Sequence, residues 1–179
     1  PPKRADQDGP LDPERLDRVR ELGASLRMYG DAAPGSGVGE VADAQVARAA
    51  SGWWIGDRAG QEAWLDAIDR RLALPEGDFV TLTTTPRFSM TGATSGFPVT
   101  VTNHLADPVV VRIEATSDNP QRIALIGPEP LTVPPGAAST AILRAEASGG
   151  GVVAGTVRAT TLDGRTLTPE IPVVVETTH

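Results

Sequence analysis

The sequence predicts an α+β protein in which three N-terminal helices precede an all-β, antiparallel sandwich of the immunoglobulin or fibronectin type, with seven or eight strands. Two observations carry this prediction. Apolar residues recur every three or four positions in the first part of the chain, and from Asp78 onward they alternate with polar residues in short runs separated by proline and glycine. The predicted parts are a flexible linker at 1–11, a helical segment at 12–77 and the sandwich at 78–177.

The first helix is predicted from its start signal and its apolar stripe. Asp12 can accept hydrogen bonds from unpaired helix amides, and Pro13 suits the first helical position. We expect this helix to end near Gly30 and to be followed by a flexible loop over 30–39, which is rich in glycine and proline. Its predicted buried stripe is Leu16, Val19, Leu22 and Leu26.

Two further helices are predicted before the sandwich. A helix over 41–50 has a small-residue face suited to close packing, and the segment 51–56 ends it. Asp57 is the expected cap of the third helix, which the segment 75–77 terminates. Its predicted buried stripe is Trp64, Leu65, Ile68 and Leu72.

The stretch 97–116 is predicted to be the central hairpin of the sandwich, two strands that fold back around the polar turn 103–108. The residues predicted to share one face are Phe97, Val99 and Val101 on the first strand and Val109, Val111, Ile113 and Ala115 on the second. The segments 79–83 and 87–90 are predicted either as two short strands or as one edge strand interrupted at Pro86, where a missing amide is tolerated. Asp163 and Gly164 predict a type I′ turn. The remaining strands are expected at 123–126, 131–133, 140–145, 152–161 and 166–175.

Composition excludes several classes of protein. The net charge of −7 argues against a nucleic-acid partner, which would require a basic surface. Because cysteine is absent, disulfides and thiolate chemistry are excluded. No apolar run approaches the ~20 residues that span a bilayer, and no signal peptide opens the chain. We expect a fragment of a longer protein, because its first residues resemble a linker and lack an initiating Met.

The candidate catalytic residues are few. His104 is the only internal histidine, and Asp107 is its nearest charged neighbour in sequence. An enzyme would need both side chains and a further carboxylate in one pocket. We interpret His104 as a turn residue, and the sequence predicts no catalytic residue, no cofactor and no metal ligand.

The tryptophans offer the one candidate interaction site. Trp53, Trp54 and Trp64 are all of the tryptophan, and each lies in the helical half. Trp64 is predicted to join the helical core, while Trp53 and Trp54 are possible interaction residues, because two adjacent rings cannot easily share one buried face. A sandwich whose only aromatic residues are phenylalanines disfavours glycan binding, which generally uses exposed aromatic rings.

Several segments resemble one known family. The matching segments are Gly96–Asn103, Asp107–Val111, Val133–Gly136 and Leu162–Gly164 in the sandwich, with Ala47–Trp54 and Ala67–Leu72 before it. They resemble an uncharacterised family of actinobacterial envelope proteins that are exported, anchored by a terminal transmembrane helix and encoded beside the lipid II flippase. The resemblance implies an immunoglobulin-like domain outside the cytoplasm, and it supplies no catalytic residues.

These observations favour a non-catalytic, extracytoplasmic interaction or scaffold module of a membrane-anchored envelope protein. The resemblance implies partners among envelope proteins, including the machinery of peptidoglycan precursor transport or assembly. The alternative is an accessory or carbohydrate-binding sandwich domain of a larger glycan-active enzyme.

Overall fold

A computed structural model describes residues 13–51, 54, 57–72 and 77–178. The predicted linker at 1–11 lies outside the described residues. The chain divides into two compact units, one formed by residues 1–30 with 34–74 and the other by residues 31–33 with 75–179. We call the first the helical unit and the second the sandwich unit.

The helical unit confirms the three predicted helices and corrects the connection between the first two. Helix α1 is Pro13–Ala32, helix α2 is Val38–Ala49 and helix α3 is Arg58–Leu72. The flexible loop predicted over 30–39 is wrong, because α1 continues through Ala32 and a 3-10 turn at Pro34–Ser36 leads directly into α2. Asp57 caps α3 as predicted, since its carboxylate accepts a hydrogen bond from the Gly60 amide at 2.9 Å.

Glycines in α1 allow α2 to pack closely against it. A Cβ atom on Gly30 would lie 2.4 Å from the Gly39 Cα, and one on Gly23 would lie 2.7 Å from a methyl group of Val46. Contacts that approach backbone atoms this closely are open only to glycine. The ends of the segment predicted as a loop are therefore part of the helix packing, and Gly30 and Gly39 serve close contact between α1 and α2.

A buried glutamine joins the three helices. Gln61 of α3 is 1 % exposed, and its amide nitrogen donates to the carbonyl of Ala49 at 2.7 Å. Its side-chain oxygen accepts a hydrogen bond from the Arg15 guanidinium of α1. Gln61 thus satisfies the last turn of α2 and a partly buried charge at the same time. The buried apolar residues of the helical unit include Val19, Leu22, Leu26, Ala42, Ala49 and Leu65.

Replacing Gln61 with leucine is expected to lower the free energy of unfolding of the helical unit by about 2 kcal/mol. The substitution keeps the side chain's bulk but leaves the Ala49 carbonyl and the Arg15 guanidinium without a partner. Urea unfolding followed by tryptophan fluorescence measures this effect, because every tryptophan lies in this half of the chain. Glu62→Gln is the control: its exposed ion pair with Arg58 should contribute less than about 1 kcal/mol. Equal stability of Gln61→Leu and the parent protein would contradict the bridging role.

The sandwich unit has nine strands in two sheets. They are β1 Val80–Thr84, β2 Arg87–Met90, β3 Thr94–Asn103, β4 Val109–Ser117, β5 Ile123–Ile126, β6 Leu131–Val133, β7 Ala138–Ala147, β8 Gly151–Thr160 and β9 Ile171–Thr177. One sheet has the order β1-β3-β7-β5 and the other β2-β9-β8-β4-β6. These orders correspond to the ABED and GFC sheets of immunoglobulin domains, with short edge strands added to the second sheet. The predicted fold class is therefore confirmed.

Alternating residues from both sheets fill the core between them. The inward positions predicted for β3 and β4, and the alternate positions of β7, β8 and β9, include side chains that are fully or almost fully buried. Phe97 packs against Phe88 of β2 with ring centroids 5.0 Å apart. The buried set includes Phe97, Val99, Val101, Val109, Val111, Ile113, Leu143, Ala145, Val157, Ala159, Val173 and Val175.

The hairpin predicted over 97–116 is wrong. Strand β3 pairs with β1 and β7, while β4 pairs with β6 and β8, so the turn between them carries the chain from one sheet to the other. The alternation of buried residues is the same in a hairpin and in a sheet crossing, because both strands face one core. The structure therefore keeps the predicted inward residues and changes the strand pairing.

The two short strands predicted at 79–83 and 87–90 are confirmed as β1 and β2, but they lie in different sheets and do not form one interrupted edge strand. Strand β1 pairs antiparallel with β3, and β2 pairs parallel with β9, so one pair of the sandwich departs from the predicted antiparallel arrangement. Pro86 lies at the crossing, and its carbonyl accepts a hydrogen bond from the Val174 amide at 2.8 Å. A proline suits this position because no partner for its missing amide is needed there.

The type I′ hairpin predicted at Asp163 and Gly164 is also corrected. The turn closes with a hydrogen bond from the Gly164 amide to the Thr161 carbonyl at 3.0 Å, so Gly164 is its last residue rather than a central one. Gly164 has a φ of 83°. Strand β9 begins only at Ile171 instead of Thr166, because the intervening segment folds back on β8. The Ala159 amide, for example, donates to the Thr168 hydroxyl at 2.9 Å.

Candidate functional site

The helical unit presents a cluster of one arginine and two tryptophans, which we call the Arg–Trp cluster (Arg48, Trp54 and Trp64). The Trp54 indole nitrogen donates to the Arg48 carbonyl at 2.9 Å, which fixes the ring just beyond the end of α2. The rings of Trp54 and Trp64 are tilted by 39° with centroids 6.0 Å apart. The Arg48 guanidinium carbon lies 5.9 Å from the centroid of the Trp64 ring. The three side chains therefore form one continuous stack.

The Arg–Trp cluster remains accessible to solvent. Both rings are half-buried and Arg48 is exposed. The prediction that Trp64 belongs to the helical core is therefore wrong in part: Leu65 is 3 % exposed and fills the core, while Trp64 lies at its margin beside Trp54. Trp53, the other predicted interaction residue, lies outside the described residues. A contact between arginine and a solvent-accessible tryptophan ring contributes only ~0.5–1 kcal/mol to folding. A partner could therefore displace the Arg48 guanidinium from the Trp64 ring at little cost in stability.

The turn containing His104 and Asp107 is a structural corner built around Asn103. Asn103 is fully buried. Its side-chain nitrogen faces the carbonyls of Asp107, Val133 and Pro134 at 2.8, 3.1 and 3.1 Å, and its oxygen accepts from the Leu105 amide at 2.8 Å. These bonds fix the crossing from β3 to β4. Sequence reasoning concentrated on the neighbouring histidine and missed Asn103.

His104 contacts the first strand of the sandwich. Its backbone amide donates to the Phe79 carbonyl at 2.9 Å, and its Nε2 atom lies 3.0 Å from the Thr81 hydroxyl. The side chain is exposed. These contacts extend the β1–β3 pairing by one residue, which agrees with the interpretation of His104 as a turn residue. Among the residues that the structure describes, no three His, Cys, Asp or Glu side chains are grouped so that they could hold a metal ion.

The outer faces of the two sheets differ in charge. On the five-stranded sheet, Arg158 pairs with Glu114 at 2.9 Å and with Glu170 at 3.4 Å, and Arg87 lies 3.9 Å from Glu176. The four-stranded sheet carries Arg144 and Glu146, which pair at 3.2 Å, and otherwise small, hydroxyl or apolar side chains. The first face is typical of a solvated surface. The second has few charges, and Ile142 on it is 59 % exposed.

No helix within the described ranges combines the length and apolar character needed to cross a bilayer. Residues 29–177 match the sequence pattern of a family of unknown function, DUF6049. This region includes all of the described strands and most of the helical unit. No curated protein matches the chain in sequence.

Many solved structures resemble part of the chain. A Caenorhabditis elegans MSP family member, WR4, has a TM-score of 0.39 at 7 % identity over 57 % of this chain and all of its own. A FixG-related protein from Vibrio parahaemolyticus has 0.41 at 10 % identity over 56 % of this chain and 95 % of its own. Domains 4 and 5 of the S-layer protein SbsC have a TM-score of 0.40 at 14 % identity, over 57 % of this chain and 48 % of their own. The strand order described above carries the fold assignment.

Proposed function

We propose, from the premise that this chain belongs to the DUF6049 family of unknown function, that it is a non-catalytic interaction module of an extracytoplasmic cell-envelope protein. The single observation that carries the proposal is the Arg–Trp cluster. Tryptophan and arginine dominate the residues that contribute most to protein interfaces, and here they are stacked, accessible and fixed in position.

The alternative of a carbohydrate-binding domain receives no support from the sandwich aromatics. Phe97 is fully buried, and the half-buried Phe88 packs against it. Phe79 is also half-buried. Sugar rings stack on an exposed aromatic face, and none of these three side chains is exposed.

The placement in the envelope rests on the sequence resemblance. The segments that carry it lie in β3, in β4, around the Asn103 corner and in the turn after β8, together with the ends of α2 and α3. The proposed partners are envelope proteins, including those of peptidoglycan precursor transport or assembly, and the parent protein is membrane-anchored.

Crosslinking in an actinobacterial host that produces the full-length parent protein tests the interaction. We expect affinity purification to recover an envelope protein, and we expect Arg48→Ser to reduce that recovery by about tenfold. This substitution removes the guanidinium and keeps the backbone carbonyl that holds Trp54. Arg70→Ser, at an exposed position in the last turn of α3, is the matched control and should leave recovery unchanged. Equal recovery with both variants, or no envelope protein in any preparation, would refute the proposal.

Retention of the purified chain on peptidoglycan sacculi would instead support the carbohydrate-binding alternative.

The location can be tested through the absence of cysteine. Because the chain has none, a single Ala106→Cys substitution in the exposed corner gives one site for a membrane-impermeant maleimide. We expect labelling in intact cells, with the unsubstituted protein as the blank. Labelling only after lysis would place the domain inside the cytoplasm and would remove the extracytoplasmic part of the proposal.

A further inference from the structure

The charge-poor face of the four-stranded sheet contains a cleft of about 550 Å³. Its floor is Gly96, which lies opposite Arg144 of β7, and Arg144 in turn lies opposite Ile126 of β5. Ile142 forms one wall, and the turn Gly127–Glu129 after β5 forms the other. The volume falls within the range of ~300–1,000 Å³ that ligand-binding clefts have.

We infer that this cleft binds a segment of a protein partner in which an apolar side chain stands next to a lysine or arginine. The inference rests on the proposed function, since it adds a second contact surface to the interaction module and names the chemistry of what that surface recognises.

The apolar half of the inference rests on Gly96 and Ile142. A Cβ atom on Gly96 would lie only 2.5 Å from a methyl group of Ile142, so the Ile142 side chain occupies the space above Gly96 that a larger residue would fill. Ile142 is nevertheless the most exposed large apolar side chain among the described residues. An apolar group of the partner that contacts Ile142 in the cleft would remove this exposed surface from water.

The basic half of the inference rests on the ion pairing around the cleft. Arg144 is engaged by Glu146 at 3.2 Å, whereas Glu129 on the opposite wall is exposed and has no ion pair among the described residues. The local charge of these three side chains is therefore −1. A cationic group on the partner complements Glu129, and the net charge of −7 favours the approach of a basic segment from a distance.

The size of the cleft favours a segment over a folded partner. Nine residues line it, whereas stable interfaces between folded proteins use roughly 20–30 residues on each side. A second copy of this chain would also bring the same acidic side chain to Glu129. A short extended segment that delivers one apolar and one basic side chain fits both constraints.

Selection from a phage-displayed library of random dodecapeptides against the immobilised full chain tests the inference. We expect enriched peptides to combine an apolar residue with lysine or arginine. Their synthetic forms, measured by fluorescence polarisation, should bind Ile142→Thr at least about tenfold more weakly than the parent. Val152→Thr is the matched control, because Val152 is 56 % exposed on the opposite sheet face, and it should bind the peptides as the unsubstituted chain does.

Glu129→Gln should weaken peptide binding by about threefold at low salt and have no effect at high salt. The control Asp118→Asn should leave binding unchanged at both salt concentrations.

Three outcomes of the peptide experiments would overturn the inference: no enriched peptide, enriched peptides without the basic and apolar combination, or an equal loss of peptide binding in Ile142→Thr and Val152→Thr. A dimer in sedimentation experiments that Ile142→Thr abolishes would show a second copy as the occupant and would also overturn it. Urea unfolding of each variant verifies that the fold is retained. If the selection fails while the Arg48-dependent crosslinks persist, the proposed function stands without this cleft.

Discussion

Replacing Asn103 with alanine is expected to lower the free energy of unfolding of the sandwich unit by about 3–5 kcal/mol. Asn103 is fully buried, and its side chain serves three carbonyls and one amide. Alanine would leave these groups without Asn103 as their partner. The bonds to the Val133 carbonyl and the Leu105 amide are buried, where each unsatisfied group costs ~1–3 kcal/mol, and the bonds to the Asp107 and Pro134 carbonyls are part-buried. Partial relaxation of the corner keeps the total below the sum of these costs.

The two units allow this prediction to be measured separately for the sandwich. Every tryptophan lies in the helical half, so the β-sheet signal in far-UV circular dichroism reports the sandwich while tryptophan fluorescence reports the helices. We expect Asn103→Ala to shift the unfolding transition seen by far-UV circular dichroism to lower urea concentration. Asn119→Ala is the matched control, because Asn119 is exposed and its side chain accepts from one amide at 3.2 Å. It should cost less than about 1 kcal/mol. A shift no larger than that of Asn119→Ala would show that Asn103 does not hold the corner.

The Asn103 corner also shows how far the sequence predicts this fold. Alternation in 97–102 and 109–116 identified both strands and their inward residues, because periodicity is a local property. Which strand pairs with which is not local. A hairpin and a crossing between sheets bury the same alternating residues, and the pairing of β3 with β7 and of β4 with β8, strands much later in the chain, distinguishes them.

The helical unit shows the same limit at Gln61. Its buried position could have been predicted, since Gln61 precedes Leu65 by four residues and continues the stripe through Ile68 and Leu72. A polar residue at this position indicates an interruption of the apolar stripe unless its hydrogen-bond partners are known. Those partners, Arg15 and the Ala49 carbonyl, belong to other helices, so no local pattern identifies them.

The sequence predicted the residue type of the candidate site, tryptophan, but not the arrangement of its side chains. The concentration of tryptophan in the helical half pointed to Trp54, but the stack also needs Arg48 and Trp64, which the turn after α2 brings together. The cleft on the four-stranded sheet was not predicted at all. The sequence singles out Gly96 only as the first residue of a segment that resembles the family, and its contact with Ile142 depends on the register of β3 with β7.

Replacing Gly30 with valine is expected to lower the free energy of unfolding of the helical unit by about 3 kcal/mol. Even a Cβ atom at this position would lie 2.4 Å from the Gly39 Cα and 2.6 Å from its nitrogen. Both are backbone atoms, so a side-chain rotation cannot relieve the clash and α1 must move away from α2. Overpacking of this kind commonly costs ~1–3 kcal/mol, and the two branched methyl groups place valine at the upper end. Helix propensity offsets only a few tenths of this cost, because valine exceeds glycine by about that amount.

The chain supplies a matched control for this prediction in Gly35. Gly35 lies five residues away in the 3-10 turn between the same two helices, and a Cβ atom there would meet nothing within 4 Å. Gly35→Val should therefore change the urea midpoint of tryptophan fluorescence little, while Gly30→Val lowers it strongly. If both variants lose stability equally, the connection needs glycine for backbone freedom, as a flexible loop would. Loss in Gly30→Val alone would establish that the sequence places glycine there for close contact between α1 and α2.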